Sequence, residues 1–453
     1  IAIHNSGKMA RVWSLTLLSE VILTNLEHFN QLWPKISDKL LPLFGKDFSL
    51  EPAVSCLSAI VMKGFNEATE EMLCEFLKKI TVTCPQSHQR LLELFKSLLS
   101  SQGQIIHKGW NDVIEALSPK HFISDANKET NDQAEDSSNI RNALITLGFQ
   151  CVQVICTDLM FTLDESIQSL IISLLFQYAS QKADNNVSLS AFNLLWNAIP
   201  LVKTTEMWKL IFGSCLVLID DPRNDVSLCA VKTFFSIILG NSTSLPSDIL
   251  EYLTNVCFNQ IIDFYVNANT QNKQEATHQL CFQEIAHCTR SLWARLSTDE
   301  KFPYNIWPKL IDQHLRFMKT CEKRDPLLAG FQFYEEAFQC YDFPRDLKLK
   351  LFDTLDELAS FFLKKEPAVS SLFGSFGRFF LTTLPTQAGH IDDEVLTRRI
   401  ALIKTLIIDI DSGSNIPPTT HKSLDGLLMV FPLDEKETEM VYQLLIDLCC
   451  NEK

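Results

Sequence analysis

Apolar side chains recur along the chain at three- and four-residue intervals, in stretches of roughly 12–20 residues closed by short polar turns. Val12, Leu15, Leu18, Ile22 and Leu26 form one such stripe. Leu170, Leu174, Leu175 and Tyr178 form another, opened by Thr162-Leu163-Asp164-Glu165. That opening fits a capping box, in which a Thr oxygen meets an exposed backbone N–H and a Glu reaches back. Ile249, Leu253, Val256, Ile261 and Ile262 give a third stripe, and Met440, Leu444, Leu445 and Leu448 a fourth after an Asp434/Glu437 start. The best β-branched run, Ile80 to Thr83, lies between helical segments and beside no hairpin turn. The pattern predicts an all-α chain.

So many short helices exceed what one bundle core can bury, and stacked pairs are the economical alternative. The expected architecture is therefore an α-solenoid of HEAT/armadillo-like helix pairs. Asp221-Pro222-Arg223-Asn224-Asp225-Val226 fits it: an Asp cap, a Pro in the first turn, then Val226 and Leu228 turning inward. The same Asp-Pro…Val opening recurs in HEAT repeats. Residues 124–139 contain no large apolar side chain and are expected to form a flexible linker. Weaker breaks fall at Asn267 to Lys273 and Asp411 to Thr420. The chain is accordingly divided into helical repeats 1–123, the linker 124–139, helical repeats 140–266 carrying Trp196-Asn197 and Asp221-Pro222-Arg223, and C-terminal helical repeats 267–453.

Composition narrows the function classes. The 14 glycines in 453 residues are less than half the usual share of about 7 %. Nucleotide-binding α/β folds spend glycine on phosphate loops, so they are disfavoured. Thirty-one Phe residues point to a large helical core. A net charge of −15 and a pI near 5.2 argue against nucleic acid and against direct attraction to anionic lipid. No signal segment follows Ile1, and no apolar run reaches the roughly 18–20 residues that span a bilayer; Leu170 to Tyr178 is the longest. A soluble chain in a reducing compartment is expected. Cys56, Cys74, Cys156, Cys215, Cys229 and Cys257 sit in apolar helical patterns as small hydrophobes, and the triplets at Asn186 and Asn241 are chance glycosylation matches.

Motifs that carry chemistry are scarce. There is no phosphate-binding loop, dinucleotide fingerprint, His-Glu-x-x-His or nucleophile elbow. Gly374-Ser375-Phe376-Gly377 is a helix-packing bend in a Phe-rich stretch. His278, Cys281, His287 and Cys288 have partial zinc spacing, but Cys281, Ile285 and Cys288 equally form an apolar stripe. Asp392/Asp393 and Glu335/Glu336 are adjacent residues, which point apart on a helix. Lys78/Lys79, Lys364/Lys365 and Arg398/Arg399 are short solvated faces, and Trp33, Trp110, Trp196 and Trp293 continue apolar stripes as core. No catalytic, cofactor-binding or metal-ligating residue is assigned, and no cofactor is expected.

One ordered set of local patterns is more specific. Leu32-Trp33-Pro34, Ser101-Gln102-Gly103 with Gly109-Trp110, and Cys156-Thr157-Asp158 are followed by the run Val187 to Asn197 and then Asp221-Pro222-Arg223. From about Val12 to about Arg290 this resembles the monensin-sensitivity (Mon-two) family, large peripheral Golgi and endosome proteins similar to the big Arf guanine-nucleotide exchange factors. Asn193 stands where the family pattern has glycine before Leu-Leu-Trp-Asn, Ser227 where Arg follows Val, and the short motif that usually ends in His-Gly is reduced to Gly240 followed by Asn241, so a divergent member is implied. The resemblance implies a scaffold without the Sec-seven catalytic domain, here the C-terminal part of the helical array, and it supplies no catalytic residue.

Its implied setting is endosome-to-Golgi traffic, in the cytoplasm and peripheral on Golgi and endosome membranes. The implied partners are a Dopey-family protein, an Arf-like small GTPase and a lipid-flipping P-type ATPase, with homo-oligomerisation left open. Two alternatives stand beside it: a nuclear transport receptor, since those are also acidic solenoids, and the regulatory region of an active Arf exchange factor.

Overall fold

The three- and four-residue spacing folds as helix throughout the residues that the computed structural model describes: 2–123, 134–267, 275–296, 302–320, 333–334, 337 and 344–363. Among these residues there is no strand. Ile80–Thr83 is the last turn of a helix, because Ile80 and Thr81 turn into the core with Leu73, Cys74, Phe76 and Leu77. The chain divides into two compact units, Ile1–Ala230 and Val231–Lys453.

In the first unit, helices alternate between two layers. One layer comprises α1 (Ala2–Thr24), α3 (Asp47–Gly64), α5 (His88–Gln102), α8 (Ala134–Val154) and α10 (Asn185–Ala198), each packed on the next. The other comprises α2 (Phe29–Phe44), α4 (Glu70–Thr83), α6 (Trp110–Ala116), α9 (Glu165–Ser180) and α11 (Thr205–Ile219), again in succession. Contacts of α2 with α3, α4 with α5, and α9 with both α8 and α10 join the layers, while the short α7 (Lys120–Ile123) leans on α8. This is an α-solenoid of helix pairs: each helix buries one stripe against its partner and another against the next repeat.

The second unit uses the same grammar. α12 (Asn224–Gly240) buries Val231, Phe234, Phe235, Ile237 and Ile238. α13 (Ser247–Tyr252) passes through a π turn, Leu253–Cys257, into α14 (Phe258–Asn267). α14, α16 (Phe302–Thr320) and α17 (Arg345–Leu363) pack in succession, with α15 (Glu275–Leu296) against α14 and α16. Arg295 at the end of α15 donates to the carbonyls of Ser242 (2.7 Å) and Leu245 (2.5 Å), which ties the turn after α12.

Four sequence expectations change. Residues 134–139 of the expected linker belong to α8, which Ile145, Phe149 and Val152 anchor in the core. Residues 124–133 lie outside the described residues. The capping box does not form, because Thr162 closes a 3-10 turn by donating to Leu159 O (2.8 Å) and α9 begins only at Glu165. Gln168 takes over instead, donating to the carbonyls of Met160 (3.1 Å) and Leu163 (3.0 Å). Third, the uninterrupted helical stretch Ser138–Thr162 is long and apolar enough to cross a membrane. Half of its most apolar window is buried against protein, as in a core helix. Finally, the division between units falls inside α12 rather than at 124–139 or 267, where no polar break marks it in the sequence.

Candidate docking surface

The motifs that carry the family resemblance are mostly joints between helices. Trp33 on α2 stacks on Phe29 (centroids 5.0 Å) and meets the edge of Phe76 on α4 (5.2 Å). Gln102 ends α5 and donates to Met62 O on α3 (2.9 Å). At Gly103 a methyl group would lie 2.5 Å from Leu159 Cδ1, so glycine lets the turn after α5 approach the end of α8. A Cβ on Gly109 would lie 2.6 Å from Cys74 Sγ, and the neighbouring Trp110 is buried with its indole N–H donating to Ile106 O (2.7 Å). The turn before Trp110 is held from below by buried Glu70, whose carboxylate accepts the backbone N–H groups of His107 (2.6 Å) and Lys108 (3.2 Å).

Asp221-Pro222-Arg223 is the most connected joint. Asp221 accepts from the backbone N–H of Arg223 and from its guanidinium, all at 2.9 Å. The same guanidinium donates to Gln181 O (2.6 Å), Ala179 O (3.3 Å), Ser188 Oγ (3.1 Å) and Asn185 Oδ1 (3.2 Å). It thereby satisfies the exposed carbonyls at the C-terminus of α9, the place where a cation is electrostatically favoured. Burial opposes ionisation of Asp221, but Arg223 and the more distant Lys182 outweigh it and hold the carboxyl below its usual value. Asp184 caps α10 by accepting from the N–H groups of Asn186 (2.8 Å) and Val187 (3.3 Å).

What the joints leave outside is small and local. α8 runs into a π turn, Ile155–Leu159, which buries Ile155, Cys156 and Leu159 and exposes Thr157 and Asp158. The Thr157 hydroxyl donates to Asp158 Oδ1 (2.7 Å). Phe161 follows at 62 % exposure, then the exposed Asp164 and Glu165. The π turn packs against α10, whose C-terminal end carries Trp196, 40 % exposed beside exposed Asn193 and Asn197. Of the four tryptophans expected in the core, Trp33, Trp110 and Trp293 are buried and Trp196 is not. The buried stripe of α10 runs through Val187, Ala191, Phe192, Leu195 and Ala198, and Trp196 falls one residue off it. Phe161 was not singled out in the sequence; its signal is an aromatic flanked by three carboxylates in a stretch poor in cations.

Elsewhere the candidate chemistry dissolves into packing. Cys281 and Cys288 are buried beside Ile285, and among the described residues no group of three or more His, Cys, Asp and Glu is placed to hold a metal. Lys78 pairs with Asp112 (2.5 Å) and Lys79 with Asp38 (3.9 Å), so this basic pair links neighbouring helices. The seam lined by Leu175, Phe176, Ala179, Ala191, Phe192 and Leu195 is apolar and has no room for a water molecule. Glu335/Glu336, Gly374–Gly377, Lys364/Lys365, Asp392/Asp393, Arg398/Arg399 and the Met440 stripe lie outside the described residues. On α1, Trp13, Leu17 and Val21 are exposed at four-residue spacing, the kind of face that an adjacent repeat covers in a solenoid.

The chain is similar to several curated MON2 proteins. The human protein "Protein MON2 homolog" is 23 % identical over 207 residues, 43 % of this chain and 11 % of that protein. The Drosophila melanogaster homologue is 26 % identical over 276 residues, 52 % of this chain and 15 % of that protein. The Schizosaccharomyces pombe homologue is 33 % identical over 112 residues, 25 % and 6 % of the two chains. The chain thus spans only about a tenth of the length of the first of these relatives. No family model matches it. A solved "Circular tandem repeat protein with novel repeat topology and enhanced subunit contact surfaces" aligns with 97 % of this chain and 98 % of its own at 11 % identity and a TM-score of 0.32.

Proposed function

Because the chain belongs to the MON2 family, we propose that it is a segment of a non-catalytic scaffold in traffic between endosomes and the Golgi. The observation that carries this reading is the similarity to MON2 proteins from human, fly and yeast, on a chain that folds as a helix-pair stack. A solenoid offers long, repetitive faces on which several modest interfaces act together. Multivalent engagement of that kind lengthens residence on a membrane without any one tight contact. The partners in this reading are a Dopey-family protein, an Arf-like small GTPase and a lipid-flipping P-type ATPase. An acidic chain favours recruitment to Golgi and endosome membranes through such proteins over direct attraction to anionic lipid.

The test is affinity purification of the tagged full-length protein with identification of what it retains. Recovery of a Dopey-like protein together with an Arf-like GTPase is expected. A preparation holding none of the three partner classes would sink the reading. Nucleotide release from Arf-like GTPases, measured with the full-length protein, is expected to stay at the uncatalysed rate.

A further inference from the structure

Phe161, two residues past the π turn that ends α8, and Trp196 on α10, against which that turn packs, are exposed aromatics that core packing does not require. α8 and α10 are neighbours in one layer, and the π turn ending α8 packs on α10. Thr157, Asp158, Phe161, Asp164 and Glu165 from one turn and Asn193, Trp196 and Asn197 from the next are all exposed. Two large aromatic surfaces thus stand among carboxylates and amides. Between Asn142 and Val202 the only Lys or Arg is Lys182, against Asp158, Asp164, Glu165 and Asp184. Lys203 is the next cation, exposed in the turn into α11. π turns are frequent at functional positions, and this one carries the exposed Thr157 and Asp158.

We propose that this surface docks a basic, amphipathic segment of a partner protein, its apolar side chains on Phe161 and Trp196 and its Lys or Arg residues facing Asp158, Asp164 and Glu165. Exposed aromatics at interface centres supply much of the binding energy, and surrounding charges set approach and register. The same carboxylates repel anionic lipid headgroups, which makes a protein segment the better occupant than a membrane surface. The proposal rests on the scaffold reading only in taking the occupant to be a protein.

The experiment uses the full-length protein and a fluorescein-labelled peptide with Leu and Phe on one helical face and flanking Lys and Arg. Its counterpart carries Glu in place of every Lys and Arg. The basic peptide binds, and the acidic one does not. Phe161→Ser and Trp196→Ser each weaken binding about tenfold, a hot-spot effect. Asp158→Lys weakens it too, and added salt lowers affinity. Val217→Ser, at a 73 % exposed position on α11, leaves binding unchanged. Each variant retains the wild-type helical circular dichroism, since the altered side chains are exposed. Equal binding of both peptides, or equal loss in Val217→Ser, overturns the proposal. So does binding to phosphatidylcholine/phosphatidylserine vesicles that the Phe161 and Trp196 variants abolish while the basic peptide stays unbound. Because no cellular partner is involved, failure here leaves the affinity-purification result intact, and the reverse also holds.

Discussion

Arg223 is one side chain that serves as the hub of a joint, with a single guanidinium reaching Asp221, the carbonyl groups of Ala179 and Gln181 at the end of α9, and Ser188. Arg223→Ala strands Asp221, whose side chain is only 7 % exposed, and should lower unfolding free energy by about 2–3 kcal/mol in urea melts. The pH dependence has a definite sign. Asp221 is held below its usual value in the fold, so its stabilisation is complete above the unfolded value near 3.9 and is lost as pH falls through the lower folded one. Asp221→Asn should therefore flatten the loss of stability on acidification relative to the wild type. Close packing makes a second residue-scale prediction. Gly109 has an ordinary φ of −74°, so Gly109→Ala costs only through the clash with Cys74, about 1–3 kcal/mol. Gly45→Ala, with nothing within 4 Å, should be neutral or raise stability by up to about 1 kcal/mol.

The cysteines show the same physics as chemistry. Burial pushes the thiols of Cys151, Cys156 and Cys257 up to about 12 and that of Cys56 to about 11. The thiolate is the reactive form, so iodoacetamide at about pH 8 should label these four only as the protein unfolds, as read by peptide mass spectrometry along a urea series.

At the scale of elements, helix propensity and packing give opposite answers, and Gly148 shows which prevails. Glycine in mid-helix costs about 1 kcal/mol relative to alanine. A Cβ there would lie 2.4 Å from the Tyr178 hydroxyl, which donates to Leu117 O at 2.8 Å between α9 and the end of α6. Gly148→Ala is therefore expected to destabilise despite the better propensity, and its melting temperature should recover in Gly148→Ala/Tyr178→Phe. None of this was readable from α8 alone. Helices were legible because the apolar stripe is a local property, and so was the Asp-Pro-Arg start of a repeat. The linker expected at 124–139 is cut short because the core draws Ile145, Phe149 and Val152 inward on α8, and the capping box gives way to the 3-10 turn that Thr162 closes. Trp196 misled because a stripe one residue off its axis looks the same in sequence as one on it.

On the scale of the whole molecule, each helix-pair stack should behave as a chain of nearest neighbours. Within the first unit, Gly109→Ala is expected to raise amide hydrogen exchange in α4, α6 and α9, which pack in succession, and to leave α11 nearer wild type. Uniform loss of protection across the unit would contradict that picture.

The sequence by itself determined that this chain is helical, repetitive and acidic, and the order of its short motifs placed it beside the MON2 proteins. Those properties are carried by spacing and composition, which need no knowledge of neighbours. Only the tertiary structure decided that Gly103, Gly109, Gln102 and Arg223 are joints, that residues 134–139 are helix, and that Phe161 and Trp196 are exposed. The reason is geometric. Whether a side chain on a helix is core or surface depends on which helices lie against it, and those arrive from tens of residues away.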